Sequence, residues 1–343
     1  MSNITFNYAK NKNDWEQYVS VHPQANFLQS YNWGLFHHNL GKKYFPVVIF
    51  NDKKQVGVAM IIKEEAKRGD YLTIAGGPLL DWQGEDTKQV FSEFVLFIYR
   101  LAQTHGCHFV RIRPQVEDSA FIRTLFKNNG FNKAPMHLTA DRTLRLDLSM
   151  SEEELLKQMG KSTRYEIRKA NKLDIETKII KDVSFVDDFY DHQLYLAKKH
   201  NFIPFGHDFL QKQFEQFLVD DQVAFINSYH QGGLLASVFV IFYHQEAVYH
   251  YGVSTKANSK LPGSYAVQWA AIQEAKRRKC SIYNFWGVSP INEKKHRFAG
   301  PSLFKRGFGG DEVQHLWAHD LPISSWYPAI KIFEQLRKRA RGL

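Results

Sequence analysis

The stretch PSLFKRGFGGDEV, residues 301–313, places two adjacent cations in an apolar and glycine-rich setting. Lys305 and Arg306 lie between Phe304 and Phe308, and glycines follow at once. Three kinds of site fit this pattern: a phosphate cradle, a cation that stabilises developing negative charge, and a turn with a solvated charge pair. The glycine spacing is not that of a P-loop, so the glycines alone do not predict phosphate binding.

A denser group of cations lies on the segment KSTRYEIRKANK, residues 161–172. Lys161, Arg164, Arg168 and Lys172 are three or four residues apart, so they share one face of a helix. The alternative is a solvated helix edge with Glu166 as its local partner. The excess of cations on one face favours a site for substrate phosphates.

Two further segments place chemistry-bearing residues where an element begins or ends. Gly263 and Ser264 begin a predicted helix, where backbone N–H groups attract anions, and Tyr265 lies in its first turn. Taken alone, a tyrosine at this position is more often a packing residue. Trp286 and Gly287 end a predicted strand, and loops at strand ends commonly carry binding groups.

Hydrophobic spacing predicts the elements that must hold these residues. Residues 44–50 and 56–63 form a hairpin, 71–80 a strand broken at Gly76-Gly77-Pro78, 88–103 a helix and 107–114 a strand. The second half repeats this order, with a hairpin that turns at Gly232-Gly233, a strand, a helix over 264–278 and a strand over 280–288. The sequence therefore predicts an α/β (α+β) chain of two related units.

Composition limits the class of protein further. The 343 residues are 44% hydrophobic, enough for two cores, and the net charge of +10 suits polyanionic partners without selecting one. No apolar run is long enough to cross a bilayer. The N-terminus lacks a signal peptide, and Cys107 and Cys280 lack disulfide or zinc spacing, so we expect a cytoplasmic protein with no metal.

Together these segments resemble the FemABX family, the aminoacyltransferases that build peptidoglycan cross-bridges from aminoacyl-tRNA. The resemblance runs through FLQSYNWG (residues 27–34) and residues 143–172, 263–288 and 296–310, and so covers the chain nearly end to end. These motifs are specific in combination, whereas each alone is weak.

The fold that this resemblance implies is two GNAT-like (acyl-CoA N-acyltransferase-like) domains, each a mixed twisted sheet flanked by helices. We expect residues 1–148 with 318–343 to form the first domain and residues 149–317 the second. Some members carry a long helical arm. No heptad-patterned insert of that length occurs here, so an armless, FemX-like member is expected.

The implied reaction is attack by an amine on the ester of an aminoacyl-tRNA, which carries Gly, Ala or Ser. The acceptor is the side-chain amine of the third stem-peptide residue of a peptidoglycan precursor, and no cofactor or metal is required. The resemblance implies Lys305 and Phe304 as the catalytic residues, with Lys305 stabilising the oxyanion. The expected substrate-binding residues are Tyr265, Trp286, Lys161, Arg164, Arg168, Trp33 and His37.

This chain departs from the family pattern at three places. Members that use a UDP-linked precursor have a lysine shortly after the tryptophan of the first motif, whereas Gly34 to His37 follow Trp33 here. Their arginine near residues 203–205 is also absent. A lipid-linked precursor is therefore favoured, together with peripheral contact with the inner membrane leaflet. Arg113 stands where the family has an acidic residue, so the general base stays open.

Two other functions compete with this hypothesis. One is an acyl-CoA-dependent GNAT N-acyltransferase, whose pyrophosphate loop would be NSKLPGS, although that loop has a single glycine. The other is a non-catalytic module that binds tRNA or a membrane. We expect the protein to be a monomer.

Overall fold

The computed structural model describes residues 3–293 and 295–340. The chain divides into two units: residues up to Asp141 and from Gln314 onward form the first, and Arg142–Val313 the second. In each unit a mixed sheet is flanked by helices, which confirms the predicted fold class.

The sheet of the first unit consists, in order across the sheet, of β1 (Ile4–Tyr8), β2 (Tyr44–Asn51), β3 (Lys54–Glu64), β4 (Tyr71–Gly76), β6 (Phe109–Pro114), β15 (His319–Pro322) and β7 (Asn132–Lys133), with β5 (Leu79–Leu80) paired to β3. Its helices are α1 (Lys12–Ser20), α2 (Tyr31–Asn39), α3 (Thr87–Thr104), α4 (Ala120–Asn128) and α11 (Tyr327–Ala340). Side chains at helical spacing on α3, such as Phe91, Phe94 and Ile98, are fully buried in this core. Each contributes about 1.5–3 kcal/mol by leaving water.

The sheet of the second unit has the order β14 (Asp311–Gln314), β8 (Arg142–Asp147), β13 (Ile282–Gly287), β12 (Glu246–Ser254), β11 (Gly233–Tyr243), β10 (Val223–His230) and β9 (Glu176–Ile180). Its helices are α5 (Glu152–Gln158), α6 (Lys161–Lys172), α7 (Phe185–His200), α8 (His207–Leu218), α9 (Gly263–Arg277) and α10 (Ala299–Arg306). Apolar residues of α9, including Val267, Ala271 and Ile272, pack in its core.

The two units share one succession of elements, as the sequence predicts. In the first, the antiparallel strands β2, β3 and β4 are followed by α3 and then β6, which runs parallel to β4. In the second, β10, β11 and β12 are followed by α9 and then β13, parallel to β12. A parallel neighbour needs a crossover, and a helix supplies it in both units.

The units differ in how far the parallel pair stays together. In the first, β4 and β6 remain paired from Leu72 with Val110 to Gly76 with Pro114. In the second, β12 and β13 pair only from Glu246 with Ile282 to Val248 with Asn284. A bulge interrupts the register of β11 against β12 at Phe239 and Val240, at the same level. The second sheet is therefore open beyond Val248.

The boundary between the units differs from the expected 148/149 and 317/318. The strand β8 follows the first unit in sequence but pairs antiparallel with β13 in the second sheet. At the other boundary, Leu316 is buried in the core of the first unit. Strand pairing and burial thus place the boundaries at 141/142 and 313/314.

The stretch PSLFKR lies in a helix, α10, and not in the turn that was one of the three possibilities for its two cations. Pro301 lies in the first turn of α10, where a missing N–H costs nothing. Ser302 Oγ, in the same helix, donates to the Phe298 carbonyl at 2.7 Å and accepts from the Ser289 N–H at 2.8 Å. These contacts hold α10 against the loop that follows β13.

The glycines after α10 are required by close packing. Gly310 has a φ of +87°, and a Cβ there would lie 2.4 Å from the Arg145 carbonyl oxygen. A Cβ on Gly307 would lie 2.4 Å from Thr163 Oγ1. The turn therefore needs glycine to pass β8 and α6, which accounts for these glycines without a ligand.

None of the helices in the described ranges is both long enough and apolar enough to cross a membrane.

We predict that Gly310→Ala destabilises the protein more than Gly232→Ala, a matched control in the same unit. Gly232 also has positive φ (+78°), but a Cβ there meets no described atom within 4 Å. The control isolates the left-handed backbone cost of about 1 kcal/mol, and the clash at Gly310 adds about 1–3 kcal/mol. Urea unfolding measures both free energies, and equal losses would contradict the packing role.

Candidate functional site

A cavity of about 310 Å³ in the second unit lies beside the open part of its sheet. Its walls include Ala236 and Val238 of β11, Tyr249 of β12, Ser264 and Gln268 of α9, and Phe304 of α10. Most of the lining is apolar, with a few polar groups from the start of α9, as in small-molecule sites generally.

Lys305 lies where β12 and β13 have separated. Its Nζ donates a 2.8 Å hydrogen bond to the Gly287 carbonyl at the end of β13 and lies 5.3 Å from the centre of the Tyr249 ring on β12. No carboxylate of the described residues pairs with it. Burial without a counter-ion lowers the pKa of Lys305 from its usual 10.5 to about 8.

An aromatic wall stands next to Lys305. The ring of Phe304 meets that of Tyr265 edge to face at 5.0 Å, and both contact Phe308, at 5.3 and 6.0 Å. Phe308 is fully buried, whereas Phe304 and Tyr265 are half-buried. Desolvation, and then the charge of Glu166, raise the pKa of Tyr265, so its hydroxyl stays protonated.

The first turn of α9 is already occupied by a side chain. The Ser264 N–H donates to Asn258 Oδ1 at 2.8 Å, and Asn258 Nδ2 donates to Ser264 Oγ at 2.9 Å. The expectation that this helix start offers free backbone N–H groups to an anion is therefore wrong at Ser264.

Trp286 has the left-handed backbone conformation, with a φ of 62°. Its N–H donates to Asn284 Oδ1 at 2.8 Å, and its ring lies 5.6 Å from that of His250. Burial lowers the pKa of His250 to about 3, so this neighbour is neutral. A bulky residue held at positive φ is strained, and such strain is concentrated at functional sites.

The three cations expected on α6 have different surroundings. Lys161 and Arg168 are exposed and form no ion pair with the described residues. Arg164 instead donates through Nη1 to the carbonyls of Lys157 and Met159, at 2.7 and 3.0 Å. Arg164 therefore hydrogen-bonds carbonyl groups at the C-terminal end of α5. Of the three cations, only Lys161 and Arg168 are exposed.

Trp33 and His37 lie on α2 of the first unit, whereas the other predicted residues lie in the second. His37 is buried, and desolvation lowers its pKa to about 3, so it carries no charge near neutral pH. Trp33 packs edge to face against Phe27 and His37, at 5.6 and 4.7 Å. His37 therefore has the surroundings of a core residue, which argues against a charged role, whereas Trp33 is half-buried.

Arg306, which the sequence leaves between a solvated neighbour and a phosphate contact, is an internal ion-pair partner. Its Nε donates to Glu312 Oε1 at 2.6 Å, and its Nη2 donates to the Ser289 carbonyl. Glu312 also pairs with Arg142. Arg306 therefore holds the end of α10, while Lys305 is the cation beside the sheet opening.

Two polar residues beside the cavity, Gln268 and Tyr249, were not predicted from the sequence. Gln268 accepts a 2.8 Å hydrogen bond from the Tyr283 hydroxyl and also hydrogen-bonds Tyr249, whose pKa burial raises to about 12. One available signal was a glutamine three residues after Tyr265 on the buried face of a helix.

Within residues 3–293 and 295–340, no cluster of His, Cys, Asp or Glu could hold a metal ion.

Comparison with known proteins gives a family match over most of the chain. The FemAB family model matches residues 11–124 and 211–335. Aminoacyltransferase FemA of Staphylococcus epidermidis is 31% identical over 104 residues, which are 30% of this chain and 24% of that protein. FemA of Staphylococcus aureus is 32% identical over 93 residues, which are 27% of this chain and 22% of that protein. The aligned segments thus span about a quarter of these relatives' length.

Solved structures agree with this match at the level of the fold. The crystal structure of FemX superposes with a TM-score of 0.84 and 14% identity, over 96% of this chain and 100% of that one. A tandem GNAT protein from the clavulanic acid biosynthesis pathway superposes with a TM-score of 0.62 and 10% identity, over 94% of this chain and 99% of that one. Each unit is therefore GNAT-like, and because the family model matches more than half of its residues, the chain belongs to the FemAB family.

Proposed function

We propose that this protein is a tRNA-dependent aminoacyltransferase. It joins Gly, Ala or Ser, carried as an ester on tRNA, to the side-chain amine of the third stem-peptide residue of a peptidoglycan precursor. The observation that carries the proposal is Lys305, a desolvated cation without a carboxylate partner at the open part of the second sheet. Membership of the FemAB family supports the reaction class.

In the proposed reaction the neutral acceptor amine attacks the ester carbonyl and forms a tetrahedral intermediate with a negatively charged oxygen. Lys305 Nζ stabilises that oxygen by charge and by hydrogen bonding, which acts strongly where water is scarce. The intermediate collapses with cleavage of the C–O bond, and the ribose oxygen leaves with a proton from the ammonium nitrogen that the attack has created. Phe304 shields the ester from water.

The two substrates are assigned to different surfaces. We propose that Tyr265, in contact with Phe304, binds the acceptor peptide together with Trp286. Lys161 and Arg168 are exposed cations suited to the phosphates of tRNA. The absence of a lysine after Trp33 and of an arginine at residues 203–205 supports a lipid-linked acceptor. No cofactor is needed, and we propose a cytoplasmic monomer with peripheral contact at the inner membrane face.

One observation favours a second candidate, an acyl-CoA-dependent N-acyltransferase. The cavity runs along β11, β12 and the start of α9 in a unit with the GNAT-like fold. The occupied N–H at Ser264 weakens this candidate, because a pyrophosphate needs free donors at a helix start. Calorimetry with acetyl-CoA separates the two, since tight binding would favour the acyl-CoA enzyme.

We predict that Lys305→Ala lowers kcat/KM for transfer by an amount equivalent to about 2–4 kcal/mol. The assay combines charged tRNA with lipid-linked precursor and a working control enzyme. Lys295→Ala, an exposed lysine in the loop before α10, is the matched control and should retain activity. Unfolding midpoints of both variants check the fold.

Transfer by Lys305→Ala within a few-fold of the unsubstituted protein would refute the catalytic role of Lys305. No transfer by the unsubstituted protein with any of the three amino acids would refute the proposed function itself.

The pH profile gives an independent test. Lys305 loses its proton as pH rises through about 8, so the stabilising charge, and with it kcat/KM, should fall on the alkaline side of that value. In Lys305→Arg the guanidinium stays protonated, so the alkaline fall should move to higher pH whatever the absolute rate. An unchanged alkaline limb in this variant would show that another group titrates there.

Salt dependence tests the tRNA surface. The double variant Lys161→Gln/Arg168→Gln should bind tRNA more weakly, and its log–log salt slope should be smaller by about 1–2 units, since each phosphate contact contributes about 0.7–0.9. Arg164→Gln is the matched control on the same helix. Because Arg164 hydrogen-bonds the end of α5, the Arg164→Gln variant should be less stable, and its salt slope for tRNA binding should be unchanged. Equal slopes in all proteins would contradict a phosphate role.

A further inference from the structure

The C-terminal helix α11 is held against the first unit by its polar and aromatic inner side. Glu334 is buried, accepts a 2.6 Å hydrogen bond from Arg111 and forms an ion pair with Arg68 at 2.8 Å. Tyr327 and Ile330 pack with Phe109 in a small apolar cluster. These contacts fix the rotation of the helix about its axis, and hence determine which side chains point away from the core.

The side that points away is apolar. Ile332, Phe333 and Leu336 are 57%, 52% and 58% exposed, and Trp326, just before the helix, is 68% exposed. Spacings of three and four residues place the helical members on one face. A surface helix ordinarily presents polar residues there, so an apolar outer face marks an interaction surface.

A cationic cavity adjoins the same helix. It has a volume of about 490 Å³ and is lined by Lys133, Trp317, Lys331, Lys338 and Arg339, among others. The Nζ atoms of Lys133 and Lys338 lie 4.3 and 5.1 Å from the centre of the Trp317 ring. No carboxylate lines the cavity, and none of its four cations forms an ion pair within the described part of the chain. The cavity therefore offers uncompensated positive charge around an aromatic ring.

We infer that α11 docks on an anionic phospholipid bilayer, with Ile332, Phe333 and Leu336 in the interfacial layer and a lipid phosphate in the Trp317 cavity. An apolar face flanked by cations, with a tryptophan at its edge, is complementary to an anionic membrane surface. RNA would match the cations but leave the aliphatic side chains exposed. A second copy packed about a two-fold axis would bring two cationic cavities together, which like charges oppose.

This inference stands on contacts within the first unit and does not require the transfer reaction. It gives the proposed membrane contact a defined surface, and it would place the enzyme where a lipid-linked acceptor is found.

Cosedimentation of the full chain with vesicles tests the docking surface. The protein should bind vesicles of phosphatidylcholine mixed with phosphatidylglycerol, bind phosphatidylcholine alone much more weakly, and lose binding as salt is raised. Phe333→Ser/Leu336→Ser should weaken binding about tenfold or more. Leu96→Ser, on α3 of the same unit and 51% exposed, is the matched control and should bind normally.

The cavity has its own pair of variants. Lys133→Gln/Lys338→Gln should remove most of the preference for phosphatidylglycerol. Lys53→Gln/Lys54→Gln, at the exposed tip of the β2–β3 hairpin, removes the same charge elsewhere and should keep the preference. All replaced side chains lie outside the cores, so unchanged unfolding midpoints should accompany these results.

Unchanged vesicle binding in both double variants would overturn the inference. So would a protein that ignores vesicles but loses a tRNA mobility shift in these variants, which would make this an RNA surface. Concentration-dependent dimerisation that Phe333→Ser/Leu336→Ser abolishes would make it an interface between copies. Transfer to a detergent-solubilised acceptor should survive in the double variants, so a failure of docking is distinguishable from a failure of the proposed activity.

Discussion

The separation of β12 from β13 is the constraint on which the candidate site depends. Beyond Val248 and Asn284 the two strands no longer pair, and the Gly287 carbonyl at the end of β13 accepts from a side chain. A buried carbonyl without a donor costs about 1–3 kcal/mol. Lys305 is that donor, so the opening of the sheet and the burial of a cation occur together, and burial lowers the pKa of the lysine. In the first unit β4 and β6 stay paired to their ends, and no such opening arises.

Three consecutive residues of α10 then perform three different tasks. Phe304 faces the cavity, Lys305 reaches the end of β13, and Arg306 pairs with Glu312. Successive helical residues point about 100° apart, so a short helix can distribute adjacent side chains in this way, whereas a strand would alternate them between two faces. The helix thus separates two cations that are adjacent in the sequence. Arg306 pairs with a carboxylate, whereas Lys305 has no carboxylate partner among the described residues.

Elements with their own periodicity were predictable, whereas those defined by distant partners were not. The hairpin of β2 and β3 and the helix α3 follow from local patterns of apolar residues. The helix α10 does not, because its proline and following glycines indicate a loop and its stability comes from contacts such as Ser302 with Ser289. The strand β8 was assigned to the wrong unit, because its partner β13 follows more than a hundred residues later. His37 and Arg164 were expected to bind substrate, but burial and hydrogen bonding give them structural surroundings.

The net charge of the chain does not by itself assign a role to any individual cation. An excess of +10 predicts anionic partners in general, yet each cation has its own role. Arg111 is buried and paired with Asp320 and Glu334, which compensates its charge internally. Lys338, beside Trp317, has no such partner in the described residues, so its charge is available to an external anion. Lys305 is desolvated without compensation, so its charge is costly to maintain and therefore effective wherever an anion develops next to it. The environment of each cation, and not their number, separates a docking surface from a catalytic one.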